Sequence, residues 1–379
     1  MSGLEIKLPF KVKKAILATG ADIKSSLACA YGSSAFISET INDLQVPENF
    51  KRFKRQLSLF PASIGCMPRI IAYDKHPEYF STKYILKLRR DKFSKLRFVP
   101  VQHHHAHIAS CMLENGLKNQ KVIGVAFDGT GLGEDQKLWG AEFLIADYSN
   151  FKRAAHLRYI PLLGGQKAIL EPWRVAAAWL YSCFGKKFLD LDLDFVKGIN
   201  KKNWQVLEKI WYNNFNSVQA SSIGRLFDAV GALVLGIHKV KFEAEAAISL
   251  EQLVRPEFTL KRGYSFSLKN KGGVLIIDPV LVFKQITADL LSGISKEEIS
   301  ARFHLTVARM VRRVCLKIRK DNGINTVVLS GGVFQNKILS GLSANFLEKE
   351  GFRTLTHKLM PCSDLSLSLG QVAVASRIN

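Results

Sequence analysis

The chain has 379 residues, which is more than one small core accommodates, so at least two subdomains are expected. Its apolar content of 47% is that of a folded globular protein, and no apolar run is long enough to span a membrane. Lysine and arginine outnumber the acids by 54 to 32, which gives a formal net charge of +22. Such a surface attracts polyanions, but the basic residues are spread along the chain. An acidic protein partner is therefore favoured over nucleic acid, which stays open, and no membrane partner is expected.

The N-terminal segment and the cysteines indicate the compartment. The first residues, MSGLEIKLPFKVKK, contain no apolar signal core. The six cysteines are scattered without any CxxC pair. This pattern predicts reduced, buried thiols in a cytoplasmic protein.

The first half of the chain begins with three consecutive strands and continues with alternating helices and strands. The predicted strands are 13–19, 25–31, 34–38, 69–73 and 97–101, and the predicted helices between them are 48–59 and 79–89. A helix is then expected to open at the histidines that follow residue 102.

The second half repeats this order, which indicates a duplication. Its predicted strands are 122–128, 138–146, 153–160, a β-rich stretch at 264–278, and strands near 326–330 and 353–357; its later helices are 279–292, 296–321 and 365–377. A largely helical insertion is expected at about 166–260. The sequence thus predicts an α/β protein with the duplicated fold of actin, chaperone ATPases and sugar kinases, in subdomains 1–120 and 121–379.

Four histidines in five positions are the most informative local feature of the chain. His103 and His107 lie four apart at the start of a helical pattern, so both imidazoles point to the same face. Paired histidines with this spacing bind metal ions in many proteins. The alternative is a solvated helix start, but so many imidazoles are hard to explain by packing. We therefore predict a metal site on this helix.

Glycine turns after two buried strands predict phosphate binding. One strand ends in Asp128-Gly129-Thr130-Gly131, and another in Ser330-Gly331-Gly332 before a helix start. Such turns offer free N–H groups and close backbone approach. Each alone is also compatible with an ordinary hairpin or tight turn. In the predicted fold they meet a first turn at Gly20 across a cleft between the subdomains.

These motifs together resemble one family, the C-terminal catalytic region of HypF carbamoyltransferases of NiFe-hydrogenase maturation. The similar segments appear in the family's order: VQHHHAHIAS (101–110), GVAFDGTGLGED (124–135), LWGAEF (138–143), EPWR (171–174), SSIGRLFDAVGALVLG (221–236), ARFH (301–304) and LSGGVFQN (329–336). The resemblance runs from about residue 8 to the C-terminus and implies the duplicated fold already predicted.

The resemblance implies roles for individual residues. It adds Asp364 to the metal ligands His103 and His107; a helix N-cap is the alternative role of Asp364. It places His76, in a DxHP segment, near the carbamoyl group, with a plain turn histidine as the alternative. His104 is a second catalytic candidate, with a supporting or surface role equally open. The implied nucleotide-binding residues are Gly20, Asp128, Gly129, Thr130, Gly131, Asp228, Ser330, Gly331, Gly332 and Asn336.

The implied cofactors are a divalent metal ion, with zinc, iron and magnesium undecided, and ATP, AMP or carbamoyl-adenylate. The implied reaction is transfer of a carbamoyl group from carbamoyl-adenylate to the C-terminal Cys thiol of a HypE-like protein. The chain shows none of the acylphosphatase, zinc-finger and YrdC-like modules that precede this region in complete HypF proteins. We therefore expect a separate YrdC-like enzyme to make carbamoyl-adenylate.

Three other functions stay open at this stage: O-carbamoylation of a small molecule, tRNA modification, and nucleotide or partner binding without catalysis. Two departures from the family pattern keep them open. The family's YEGQAA-like segment is Phe242-Glu243-Ala244-Glu245-Ala246-Ala247 here, and its Gly-rich first turn contains Ala21. Alanine adds a Cβ at positions where glycine allows the backbone to approach a ligand closely.

Overall fold

A computed structural model describes residues 4–91, 96–213, 217–255 and 262–378. The first sheet has the strand order β2-β1-β3-β4, with β1 antiparallel to β2 and β3 parallel to both β1 and β4. Its strands are β1 (Leu4–Ala18), β2 (Ala28–Ile37), β3 (Ile70–Asp74) and β4 (Arg97–Val101). Helices α1 (Pro47–Ser63) and α2 (Phe80–Asp91) connect them.

The beginning of the first sheet differs from the prediction. The first strand begins at Leu4 rather than residue 13, and the two predicted strands 25–31 and 34–38 are one continuous strand. Gly32 lies between the two predicted strands; it adopts a positive φ of 59° inside β2, and the pairing with β1 shifts register there. A bulge therefore accommodates the glycine without ending the strand.

The second sheet has nine strands, all of them from the second half of the chain. Its main path is β10-β11-β7-β6-β5-β12-β13, and β8 and β9 pair beside β6. The strands are β5 (Val122–Leu132), β6 (Leu138–Ala146), β7 (Phe151–Leu157), β8 (Ile160–Leu163), β9 (Ser217–Ser222), β10 (Ser267–Lys271), β11 (Val274–Asp278), β12 (Thr326–Ser330) and β13 (Arg353–Leu355).

The predicted insertion at 166–260 is largely helical in its described part, and its residues 214–216 and 256–260 lie outside the described residues. Its helices are α4 (Lys167–Leu170), α5 (Trp173–Phe184), α6 (Asp194–Lys197), α7 (Lys201–Asn213), α8 (Ile223–Leu235) and α9 (Glu245–Gln252). Three longer helices follow: α10 (Val280–Leu291), α11 (Lys296–Asn322) and α12 (Lys337–Lys349). Ser295 caps α11 by accepting from the Glu298 N–H, and Gly323 ends it in the left-handed region.

Two helices lie between the sheets and position the histidines. Helices α3 (His103–Glu114) and α13 (Leu367–Ala375) share one apolar core with both sheets. They cross closely at Gly370, where an added Cβ would lie 1.8 Å from the Ala106 carbonyl oxygen. Only glycine permits this contact, so α13 can approach the turn of α3 that carries His103 and His107.

The cysteine prediction is wrong for one pair. Cys29 in β2 and Cys66 after α1 form a disulfide, whereas Cys111, Cys183, Cys315 and Cys362 are free thiols. The sequence pattern placed Cys29 in a predicted strand but could not show that it meets Cys66 across 37 residues of sequence. Among the residues described, no helix combines the length and apolar character needed to cross a bilayer.

Candidate active site

Helix α3 begins where β4 ends and presents its first turn to the cleft. The side chain of Gln102 caps this turn by accepting from the His105 N–H at 3.0 Å. His103 and His107 are fully buried, and their ring centroids are 5.0 Å apart. The helix geometry expected from the sequence spacing is present.

Two carboxylates from distant parts of the chain complete the cluster. Asp128 in β5 places Oδ2 3.3 Å from His103 Nε2 and 3.6 Å from His107 Nε2. Asp364 opens a short 3-10 helix before α13, and its Oδ1 lies 3.8 Å and 3.6 Å from the same two nitrogens. One donor atom of each residue lies within 4.8 Å of the others. The carboxylate of Asp364 therefore faces the two imidazoles.

The charges of this cluster depend strongly on one another. Burial alone would lower the pKa of His103, but Asp74, Asp128 and Asp364 raise it well above its usual range. Burial also lowers the pKa of His107, but Asp128 and Asp364 raise it above its ordinary value. Burial alone would raise the pKa of Asp128, yet the two imidazoles hold it well below its usual range. Without a cation, the cluster retains protons to balance its carboxylates.

The residues fit a divalent metal ion. Both ring nitrogens of His107 are buried without a hydrogen-bond partner, and its 3.6 Å contacts to the carboxylates are too long to be hydrogen bonds. Buried polar atoms are normally satisfied, so an unpartnered Nε2 that faces two carboxylates fits a metal ion bound between these side chains. Imidazole nitrogens with carboxylate oxygens are donors that zinc and iron accept. The Asp128 carboxylate joins the three ligands predicted from the sequence.

Asp74, at the end of β3, contacts the ring nitrogen of His103 that faces away from Asp128 and Asp364. Its Oδ2 lies 2.8 Å from His103 Nδ1, and both side chains are about 1% exposed. With Nδ1 directed at this carboxylate, Nε2 faces Asp128 and Asp364. A carboxylate in this position fixes the tautomer and ring orientation of a metal-binding histidine.

A cavity of about 680 Å³ opens beside the cluster. Six predicted site residues line it: Asp128, Gly129, Thr130, Gly332, Asn336 and Asp364. One part of its wall is apolar, with Phe227, Phe242, Ile248 and Val333. A cavity that is lined by both apolar and polar side chains, and that Asp128 and Asp364 of the cluster also line, suits a nucleotide with its apolar base and charged phosphate.

Several predicted nucleotide-binding residues lie behind the cavity wall. Both backbone groups of Gly20 bond to the Gln371 side chain, at 2.9 and 3.0 Å. An added Cβ at Gly131 would lie 2.4 Å from the His104 ring, and one at Gly331 would lie 2.3 Å from the Phe127 carbonyl oxygen. These glycines shape the turns by close packing, and the cavity lining consists of their neighbours.

Asp228 also lies away from the cavity lining. It is 2% exposed. Burial raises the pKa of Asp228 to about 6, although the Arg225 guanidinium, 3.1 Å away, acts to lower it. Arg225 does line the cavity and also contacts Glu243 at 2.9 Å. Arg225 and Glu243 therefore line the cavity, whereas the predicted nucleotide-binding Asp228 does not.

The two predicted catalytic histidines are not at the cavity surface. His104 is fully buried, with Nδ1 3.2 Å from Gln102 Nε2 and no hydrogen-bond partner on Nε2. His76 is half-buried and stacks on Tyr79, with ring centroids 4.2 Å apart. Tyr79 lines the cavity, so any effect of His76 on a bound group would pass through that ring.

A buried Glu–His–Ser arrangement connects three parts of the site. Glu114, at the end of α3, accepts from the N–H groups of Lys358 and Met360, and its Oε2 lies 3.3 Å from His357 Nδ1. His357 Nε2 lies 2.8 Å from Ser330 Oγ. Ser330 is 0% exposed, so its hydroxyl cannot attack a substrate. The arrangement joins the histidine helix to the Ser330 turn and to the segment that leads to Asp364.

Comparison with known proteins shows the family to which the chain belongs. Residues 11–114 match the HypF Kae1-like domain, and residues 124–371 match the second subdomain of the carbamoyltransferase Kae1-like domain. A Carbamoyltransferase HypF homolog of Cupriavidus necator is 31% identical over 96% of this chain and 91% of its own length. The chain belongs to the HypF carbamoyltransferase family.

Longer family members are similar over about half of their length. Carbamoyltransferase HypF of Synechocystis is 33% identical over 97% of this chain and 48% of its own length. The crystal structure of a full-length HypF in its phosphate- and nucleotide-bound form superimposes with a TM-score of 0.92 and 38% identity, over 98% of this chain and 47% of that one. The fold class predicted from the sequence is confirmed.

Proposed function

We propose that this chain is a carbamoyltransferase that moves a carbamoyl group from carbamoyl-adenylate to a thiol, the C-terminal Cys of a HypE-like protein. The observation that carries the proposal is the cluster of His103, His107, Asp128 and Asp364, whose two carboxylates line a nucleotide-sized cavity. Family membership supports the reaction class, and a relative with bound phosphate and nucleotide supports the donor.

The cavity gives each part of the donor a matching environment. The apolar wall of Phe227, Phe242 and Val333 suits the adenine ring. Gly129 allows close approach of a ligand to the backbone and Thr130 offers a hydroxyl near the cluster, where the phosphate would lie. A divalent ion held by the four side chains would neutralise phosphate charge and polarise the reacting group.

The reaction needs orientation more than a protein nucleophile. The acceptor thiolate sulfur forms a bond to the carbamoyl carbon, and the bond from that carbon to the phosphate oxygen breaks, so AMP leaves with the electron pair. The free thiols do not replace this acceptor: burial raises the pKa of Cys362 to about 12. The chain therefore holds donor and acceptor together and stabilises the leaving phosphate.

The partners follow from this reaction. A separate YrdC-like enzyme would supply carbamoyl-adenylate, and the net charge of +22 would attract an acidic acceptor protein.

A reconstituted transfer reaction tests the proposal. The chain is incubated with a YrdC-like enzyme, carbamoyl phosphate, ATP and a HypE-like protein, and the acceptor is examined by mass spectrometry. A carbamoyl increment on the terminal Cys is expected, with a loss of about a hundredfold in His107→Ala and Asp364→Ala. Asp192→Ala is the matched control, because this aspartate side chain is 81% exposed. An unmodified acceptor with the intact chain would overturn the proposal.

A further inference from the structure

We propose that Lys24 binds the phosphate of the nucleotide in this cavity. The inference rests on the proposed function and adds a binding residue from the first subdomain. Lys24 and its neighbour Ile23 line the cavity, together with Asp128, Thr130 and Asp364 from the second half of the chain. Lys24 therefore lines the same cavity as two carboxylates of the candidate metal site and the proposed phosphate-binding turn.

The backbone of Lys24 has an unusual conformation that its surroundings enforce. Its φ is +48°, in the left-handed region that costs a lysine about 1 kcal/mol or more. The carbonyl of Ser25 accepts from the Ile41 N–H at 2.6 Å, and the Ser26 hydroxyl donates to the Leu365 carbonyl at 2.9 Å. Non-glycine residues in this region cluster at functional sites, where the surrounding structure holds them.

The turn is fixed to the segment that carries Asp364. Besides its bond to Leu365, the Ser26 hydroxyl lies 2.9 Å from the Ser368 hydroxyl in α13. On its other side, Asp22 accepts from the Phe80 and Ser81 N–H groups at the start of α2. The position of Lys24 relative to the metal cluster is therefore set by hydrogen bonds on both flanks, not by a loose loop.

The charges around the cavity select Lys24 for an anion. Within the described ranges, four carboxylates line the cavity, those of Asp128, Glu243, Glu251 and Asp364, and two cations do so, Lys24 and Arg225. Arg225 is engaged with Asp228 and Glu243. No ion pair among the described residues involves Lys24. A phosphate that enters the cavity thus meets the ammonium of Lys24 as its available protein cation.

A comparison of two ligands isolates the phosphate contact. Binding of AMP and of adenosine is measured by calorimetry for the intact chain and for Lys24→Met, in buffer with Mg²⁺. We expect the Kd for AMP to rise about tenfold, because a charge-assisted hydrogen bond is lost, while the Kd for adenosine changes less than twofold. Lys24→Arg should retain most of the preference for AMP, since it keeps the charge.

The controls separate this contact from general effects. Lys121→Met removes an exposed lysine outside the cavity lining and should change neither Kd. Equal Kd changes for AMP and adenosine in Lys24→Met, or no change in either, would overturn the assignment of Lys24 while leaving the proposed function intact. If the intact chain bound neither ligand, the proposed function would fall, and this assignment with it.

Discussion

The Asp74 carboxylate and the His103 imidazole form a buried contact of 2.8 Å that directs the other ring nitrogen toward the carboxylates of Asp128 and Asp364. The contact joins the end of β3 to the start of α3, so the first sheet orients a ligand of a site completed by the second half of the chain.

Replacement of this carboxylate should weaken metal binding without removing a ligand. In Asp74→Asn the amide oxygen can still accept from Nδ1–H, but the negative charge is lost. Loss of such supporting partners typically costs 10- to 100-fold in metal affinity, and we expect a Zn²⁺ affinity about tenfold weaker. Competition with a chromophoric chelator measures it. His103→Ala with His107→Ala defines the complete loss, and Asp192→Asn should match the intact chain. An unchanged affinity in Asp74→Asn would show that the contact does not support a metal ligand.

Glu114 should control the segment that leads to Asp364. Burial alone would raise its pKa, but His357 and the N–H groups of Lys358 and Met360 lower it, so the ionised carboxylate is the form that the structure favours. Glu114→Gln keeps the size of the side chain but offers one oxygen instead of two. We expect the free energy of unfolding to fall by about 1–3 kcal/mol.

Hydrogen exchange locates the effect of this change. The amides of Lys358 and Met360 should exchange faster in Glu114→Gln, and Zn²⁺ affinity should fall because Asp364 is held less firmly. Glu348→Gln, at an exposed position near the end of α12, is the matched control. If exchange rose evenly over the whole chain, Glu114 would be a general stability residue and not a local anchor.

The candidate metal site shows which residues the local sequence pattern predicts and which only the family resemblance predicts. Helical spacing suffices to bring His103 and His107 to one face, because helix geometry fixes residues four apart. Asp364 lies more than 200 residues away, and only the resemblance indicates it, since periodicity carries no information on such contacts. Asp128 is predicted as a phosphate ligand, yet its carboxylate lies in the metal cluster. The acid at a strand end was a signal for either role.

Other site residues could not be assigned because their contacts depend on tertiary packing. His104 and Asp228 are polar residues in recognised motifs, but both are buried behind the cavity, where neighbouring turns cover them. Asp74 stands in the DxHP segment, and only the structure shows its contact with His103. Lys24 belongs to the segment that resembles the family's Gly-rich first turn, but only the structure shows that it lines the cavity, because its position depends on a left-handed turn fixed from both flanks.

The backbone conformation at position 244 should favour glycine over the alanine that is present. It precedes α9 with a φ of +67°, which disfavours any residue with a Cβ, and it lines the cavity. Ala244→Gly relieves this strain but adds freedom to the unfolded chain, so we expect a net gain of up to about 1 kcal/mol in the free energy of unfolding. Urea denaturation measures it. Ala247→Gly, inside α9, should instead lose about 1 kcal/mol. A loss in Ala244→Gly would contradict the strain assigned to this position.

His304 should make the stability of the nucleotide side of the cleft depend on pH. Its Nδ1 lies 2.8 Å from the Ser300 carbonyl oxygen and its Nε2 lies 2.9 Å from Asn336 Nδ2, so the ring is neutral, donating from Nδ1 and accepting at Nε2. Burial lowers its pKa to about 4, from an ordinary value of 6.5. At pH values between 4 and 6.5, His304 therefore binds a proton in the unfolded chain but not in the folded chain.

The sign of the effect follows from this difference. Because the folded pKa is depressed, the contribution of His304 is fully present above pH 6.5 and is lost as the pH falls toward 4. Between pH 7 and pH 5 the loss amounts to about 2 kcal/mol. Urea denaturation of the intact chain and of His304→Gln at both pH values measures it, and the difference between the two proteins isolates this residue from other titrating groups. His304→Gln should lose less stability on acidification, by about that amount. An equal loss in both proteins would mean that His304 is protonated in the fold and that its bond from Asn336 is not the one described.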